Sequence, residues 1–182
     1  MKKVFFIITI IISGLVSCKI NDEIYDYYNG CTEENISYQT THIYIESNKF
    51  TYPLETYLGT SQKEQTKGLM CRKNLPTNIN GMIFKYKDEQ NRGFWMHKTY
   101  FPITVIYFDK NLNSISLSNM NPCTRGFLES KKDYEFRCLK ESYEYKPEGS
   151  YLYVLEIIDQ YKYLKEIISS SKQEKLKLII KN

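Results

Sequence analysis

The sequence predicts an α+β fold, a single domain dominated by a largely antiparallel β-sheet or barrel with one or two short helices. Runs of β-branched and aromatic residues recur between turn signals at residues 42–45, 51–58, 81–86, 93–97, 103–108, 114–118, 150–158 and 175–180. Helix signals are few, and 182 residues are enough for one domain with a real core.

The elements read as follows along the chain. His42-Ile43-Tyr44-Ile45 and residues 51–58 alternate as strands of a half-buried sheet. Ser61 and Glu64 stand in the S-x-x-E spacing of a capping box, which opens a short helix ending near Met70. Residues 74–80, with Pro76, are a loop. Residues 81–86 and 93–97 read as strands joined by a polar turn at 87–91. Pro102 has no N–H for a ladder, so residues 98–102 form a bend. A strand at 103–108, a turn at 109–113 and a strand at 114–118 follow. Residues 123–149 are charged, lack a clear period and read as a long excursion from the sheet. Residues 150–158 are a strand, 161–168 a short amphipathic helix and 175–180 a last strand.

Lys2 and Lys3 precede an apolar run over residues 4–16, the pattern of a signal peptide and too short for a comfortable permanent span. Leu15-Val16-Ser17-Cys18 has the form of a bacterial lipobox. The expectation is a lipoprotein signal peptide at 1–17, lipidation of Cys18 (palmitate among its acyl chains), a flexible tether over 18–40 and a folded domain over 41–182. The domain would then be lipid-anchored in the cell envelope, on the extracytoplasmic side of a bacterial membrane. Lys19 leaves inner and outer membrane open.

Lys and Arg number 25 against 21 Asp and Glu, and losing Lys2 and Lys3 lowers the net charge from +4 to about +2. No basic block remains, which argues against a nucleic-acid partner. Cys31, Cys71, Cys123 and Cys138 allow three pairings in an oxidising compartment. A disulfide between Cys123 and Cys138 would close a charged loop and stabilise it by roughly 3 kcal/mol, so that pair is expected. Cys71 is equally suited to a disulfide with Cys31 or to a buried thiol.

Glu55, Gly68-Leu69-Met70 with Arg72, and Gly81-Met82-Ile83-Phe84 begin a series of motifs. Phe94-Trp95-Met96 with Thr99 and Pro102, Ile106-Tyr107-Phe108-Asp109, and Tyr153-Val154-Leu155-Glu156 complete it. In this order and spacing, over residues 50–158, they resemble the DUF 192 family (domain of unknown function 192), small bacterial and archaeal domains often exported or lipid-anchored. The resemblance implies a compact β-rich domain with one or two short helices, and little chemistry. The family usually has Lys-Asn-Thr and then Pro-Leu-Asp where this chain has His97-Lys98-Thr99 and Pro102-Ile103-Thr104. An amide and a carboxylate suited to polar work are therefore missing. Pro122-Cys123 and Cys138 echo a cysteine pair found in some members.

Met70, Cys71, Met82, Met96, His97 and Met120 include ligand types that suit Cu(I). No M-x-x-M or H-x-x-M cluster is present, and Met96 and His97, adjacent on one strand, point to opposite faces. Two histidines 55 residues apart with no C-x-x-C do not make a zinc site, so neither a metal nor a cofactor is expected. Cys71 with His97 as base, oriented by Glu55 or Glu156, lacks any supporting spacing. Glu55 and Glu156 would act as a carboxylate pair only if they converged. A Glu in an apolar strand is costly to bury alone, and Arg72 is the expected partner of Glu156. The candidate ligand-binding residues are Arg72, Trp95, His97, Thr99 and Glu156, around the bend at 98–102. The aromatic residues there are equally suited to core packing. The reading is a non-catalytic binding or envelope-accessory domain for an unknown small molecule or envelope partner. The alternative is a hydrolase or transferase acting on an envelope component, and the third a copper-handling protein.

Overall fold

Ile103–Phe108 (β4) is buried at all six positions, which explains why its sequence is an unbroken apolar run and not an alternation. The computed structural model describes Cys31 and residues 36–181. The signal peptide at 1–17, Cys18 and most of the tether lie outside the described residues. Asn35–Asn182 forms one compact unit.

Seven strands make one sheet: β1 (Gln39–Glu46), β2 (Thr51–Gly59), β3 (Gly81–Gln90), β4, β5 (Ser114–Met120), β6 (Tyr151–Ile158) and β7 (Lys177–Ile180), in the order β5-β4-β6-β3-β2-β1-β7. Every pairing is antiparallel except β2 with β3. The connection between those two carries helix α1 (Gln62–Lys67), as a parallel pair requires a crossover. An isolated bridge between Asn113 and Lys177 brings the two sheet edges together at one point, but the ladder goes no further and the sheet is not closed into a barrel. Helices α2 (Lys131–Ser142) and α3 (Leu164–Ser171) complete the α+β fold.

Strand alternation sorts the apolar residues onto two faces. Ile83, Ile106, Leu155 and Ile157 join Ile43, Leu54, Leu178 and Ile167 of α3 in one cluster. Met82, Phe84, Val105, Tyr107 and Val154 face the other way, into a cluster containing Tyr134 and Cys138 of α2. Gly81 is required where β3 meets β6, because a Cβ there would lie 1.8 Å from the Glu156 carbonyl oxygen.

The capping box forms as read: Glu64 N–H donates to Ser61 Oγ at 3.3 Å, and Ser61 N–H donates to Glu64 Oε2 at 2.8 Å. The N–H groups of Ser61 and Thr60, both donating to the Glu64 carboxylate, hold it below its usual range. The helix stops at Lys67, with Gly68 as its cap at φ 50°, earlier than Met70. Four expectations change elsewhere. Strand β3 runs through the turn expected at 87–91, and residues 93–97 form no strand, only a bridge from His97 to Cys123. The stretch expected to be irregular holds α2, capped by Ser130, whose side chain accepts from Asp133 N–H. The last helix starts at Leu164, three residues later than read.

Candidate functional site

A cleft of about 350 Å³ opens between α1, residues 92–95 and the end of α2. Gln62, Gln65 and Thr66 come from α1, Leu139 and Ser142 from α2, and Tyr86, Phe94 and Tyr151 supply further aromatic lining. The aromatic rings pack edge to face: Phe94 lies 5.1 Å from Phe84 and 5.9 Å from Tyr107, and Tyr86 lies 5.7 Å from Tyr151.

Buried tyrosine hydroxyls fasten the irregular segment to the sheet. Tyr151 donates to the Arg92 carbonyl at 3.0 Å. Tyr107 accepts from Phe94 N–H at 3.3 Å and donates at 2.7 Å to the carbonyl of Tyr145, in the 3-10 turn that follows α2. One hydroxyl thus joins two walls of the cleft. Burial raises the pKa of both phenols, that of Tyr151 to about 12, so they remain protonated donors. Gly93 permits the close approach of these walls, since a Cβ there would lie 2.1 Å from the Ser142 carbonyl oxygen.

Trp95, 36 % exposed, lies on this cleft and heads a column of three mutually tilted rings. Its indole is 4.8 Å from the His97 imidazole, which is 4.9 Å from the Tyr134 ring. His97 is buried, its Nε2 has no hydrogen-bond partner, and burial with nearby Lys98 lowers its pKa to about 4. The imidazole is therefore neutral at pH 7. Tyr134 holds the column by accepting from Lys98 N–H at 3.0 Å and donating to the Cys123 carbonyl at 2.9 Å.

The other sequence-selected residues sit apart from Trp95 and His97 in their contacts. The Arg72 guanidinium lies 5.0 Å and 5.1 Å from the rings of Tyr38 and Tyr57 and donates to the Ile36 carbonyl at 2.6 Å. It makes no ion pair with Glu156, correcting that expectation. Glu156 is 5 % exposed, its Oε2 has no hydrogen-bond partner, and burial raises its pKa to about 8. The carboxyl solves its desolvation problem by keeping its proton at pH 7 rather than by pairing. It stands opposite Met82 and Val105 on the neighbouring strands. Its charge, once formed, is felt by Tyr38, Tyr86 and Tyr107. Thr99 is buried, and its N–H donates to the Met96 carbonyl at 3.1 Å. Glu55 accepts from Asn78 Nδ2 at 3.1 Å on the exposed side of β2, two strands from Glu156, and the two acids form no pair.

Cys123 and Cys138 form the expected disulfide, and Cys31 and Cys71 are also disulfide-bonded. Cys71 is therefore neither thiolate nucleophile nor soft ligand. Met82, Met96 and Met120 are buried in one apolar cluster. Among the described residues no group of three His, Cys, Asp or Glu side chains could hold a metal ion.

Residues 43–161, more than half of the sequence, match the family model DUF192, described as Uncharacterized ACR. The chain belongs to the DUF192 family. Crystal structures of similar fold include the following two. A Sinorhizobium meliloti 1021 protein, provisionally described as a transcription regulator, is 16 % identical with a TM-score of 0.59, covering 81 % of this chain and 98 % of that one. A Novosphingobium aromaticivorans DSM 12444 protein of unknown function is 19 % identical with a TM-score of 0.56, covering 82 % and 90 %. No curated protein matches the sequence.

The DUF192 signature acquires a geometric meaning. Lys98 has φ 56°, and Cys71, with φ 63°, donates its N–H to the Lys98 carbonyl at 2.7 Å. The residues missed by sequence reasoning are Gln62, Gln65, Tyr86, Arg92, Leu139, Ser142 and Tyr151. Leu139 and Ser142 were hidden because α2 has a weak apolar period, while Ser130 three residues before Asp133 was a readable cap signal.

Proposed function

We propose that this DUF192 chain is a non-catalytic binding domain, held through acylated Cys18 on the extracytoplasmic side of a bacterial membrane, with its ligand beside Trp95. The observation that carries the reading is the cleft itself: an aromatic lining with a half-exposed indole and a few polar groups, on a framework fixed by buried tyrosines. His97 backs the indole and Trp95 is the contact, while Arg72, Thr99 and Glu156 lie outside the lining of the cleft. The lipobox pattern around Cys18 supports the anchor, and the oxidised cysteines suit an exported protein.

Native mass spectrometry of the chain purified from its own envelope tests the binding role. A small molecule should stay bound to the wild type and be lost in Trp95→Leu. Retention in both proteins would move the ligand elsewhere. Replacing Cys18 by Ser should release the chain from the membrane fraction.

One observation favours a second reading, a hydrolase or transferase acting on an envelope component. A buried carboxyl with a pKa near 8 and no partner is the state of a general acid. Activity on an envelope substrate abolished by Glu156→Gln, with folding intact, would establish it.

A further inference from the structure

The geometry points to a ligand class for this cleft: we propose that it binds one or two pyranose rings of a neutral saccharide, with a C–H face on Trp95 and hydroxyls on the polar side chains of α1. The proposal rests on the binding reading above and adds the chemistry of the ligand.

Trp95 is a prepared stacking surface. His97 occupies one side of the indole at 4.8 Å, yet the residue remains 36 % exposed, which leaves ring surface for a ligand. A pyranose presents a face of C–H groups with partial positive charge, and an aromatic face is negative, so the two attract as well as exclude water.

The neighbouring polar groups have the character that hydroxyls require. Gln65 Nε2 donates to the carbonyls of Thr60 at 3.2 Å and Lys85 at 2.8 Å, which fixes the amide and leaves Oε1 as an acceptor in a set orientation. Gln62 has both halves of its amide uncommitted to the described protein, and it lies on the same wall. An amide donates and accepts in one plane, a match for two adjacent hydroxyls that each do both.

Charge and size narrow the class. Among the described residues no carboxylate lines the cleft, so a cationic ligand finds no counter-ion there. Arg92 is the one cation among the lining residues, too little for a phosphorylated ligand, which draws clustered charge-assisted donors. A purely apolar ligand would cover the Gln62 amide and Gln65 Oε1 without offering either a partner. The volume of about 350 Å³ is at the lower end of ligand pockets, room for one ring or two.

The test is a titration of the full chain in detergent, following Trp95 fluorescence and heat of binding. The probes are neutral hexoses, N-acetylated amino sugars and their disaccharides, with cytidine and decanoate as controls. At least one saccharide should bind and shift the emission, with affinity falling about tenfold or more in Gln62→Ala. Calorimetry should show the same loss in Trp95→Leu. Gln62 is exposed at the start of α1, so its variant keeps the fold and isolates the polar contact. Binding of cytidine or decanoate without any saccharide would overturn the ligand class while leaving a ligand site at Trp95. Saccharide binding unchanged in Gln62→Ala would overturn the proposed placement. No binding by any probe overturns the class, and a failure to retain any envelope molecule overturns the site as well.

Discussion

The indole of Trp95 and the imidazole of His97 pack against each other at a tilt of 34°, with ring centroids 4.8 Å apart, and the imidazole is kept neutral by its burial. An aromatic pair of this kind is worth about 0.5–1.5 kcal/mol beyond its buried area. His97→Leu should lower stability by about that amount at pH 7.5 and loosen the indole. Acrylamide quenching of Trp95, the single tryptophan, reads the change directly. Equal quenching in wild type and variant would show that His97 does not position the ring.

Tyr107 carries two of the hydrogen bonds that join the cleft walls. In Tyr107→Phe, the Phe94 N–H and the Tyr145 carbonyl both lose this partner, at roughly 1–3 kcal/mol per buried group left unsatisfied. Urea denaturation should show a loss of that order. Hydrogen exchange at Phe94 should accelerate more than at Ile83 in the sheet. A uniform change across both sites would mean that Tyr107 serves the core and not the cleft.

Glu156 and His97 give opposite pH dependences. Glu156 has a folded pKa near 8 against about 4.5 unfolded, so the folded state holds the extra proton between those values. Its stabilising contribution is complete below pH 4.5 and is lost as pH rises to 8. His97 has a folded pKa near 4 against 6.5, so its contribution is complete above pH 6.5 and is lost as pH falls to 4. The two offset each other between pH 4.5 and 6.5, and only Glu156 acts from 6.5 to 8. Glu156→Gln should therefore remove the decline above pH 6.5 and stabilise the domain at pH 7 by on the order of 3 kcal/mol. A wild-type decline that persists in the variant would place the titrating group elsewhere.

The Cys123–Cys138 disulfide ties residue 123 to α2, and Arg137 reinforces it by donating to Glu129 Oε1 at 2.9 Å and to the Thr124 carbonyl at 2.8 Å. The double Cys→Ser variant should lose roughly 3 kcal/mol by loop entropy. Because α2 supplies Leu139 and Ser142, ligand affinity should fall even where circular dichroism shows the sheet intact. Unchanged affinity would remove α2 from the site.

What the sequence made legible was local. Ser61 and Glu64 lie within one turn, so their reciprocal hydrogen bonds could be read from spacing. The apolar run at β4 and the alternation at β1 and β2 likewise marked strands before any contact was known. The cleft was legible only at Trp95. Its opposite wall arrives from residues 139–142, carried there by a disulfide and by Tyr107, and no local pattern encodes that meeting. The pairing of Glu156 with Arg72 failed for a physical reason: the guanidinium lies against two tyrosine rings, and the carboxyl avoids its charge by protonation. Lys98 shows the same limit, since its φ of 56° is a backbone feature that a lysine does not signal.

Because Trp95 is the only tryptophan, its indole N–H gives one identifiable peak in a two-dimensional NMR spectrum. Titration of the labelled chain with a small-molecule extract of its source cells tests the cleft most directly. The expected result is movement of that peak together with the amides of Gln62, Gln65 and Gly93, while Ile43 and Ile45 stay fixed. Shifts confined to the separate cavity around Asn74, Phe101 and Tyr161, with the indole unmoved, would contradict a ligand site at Trp95.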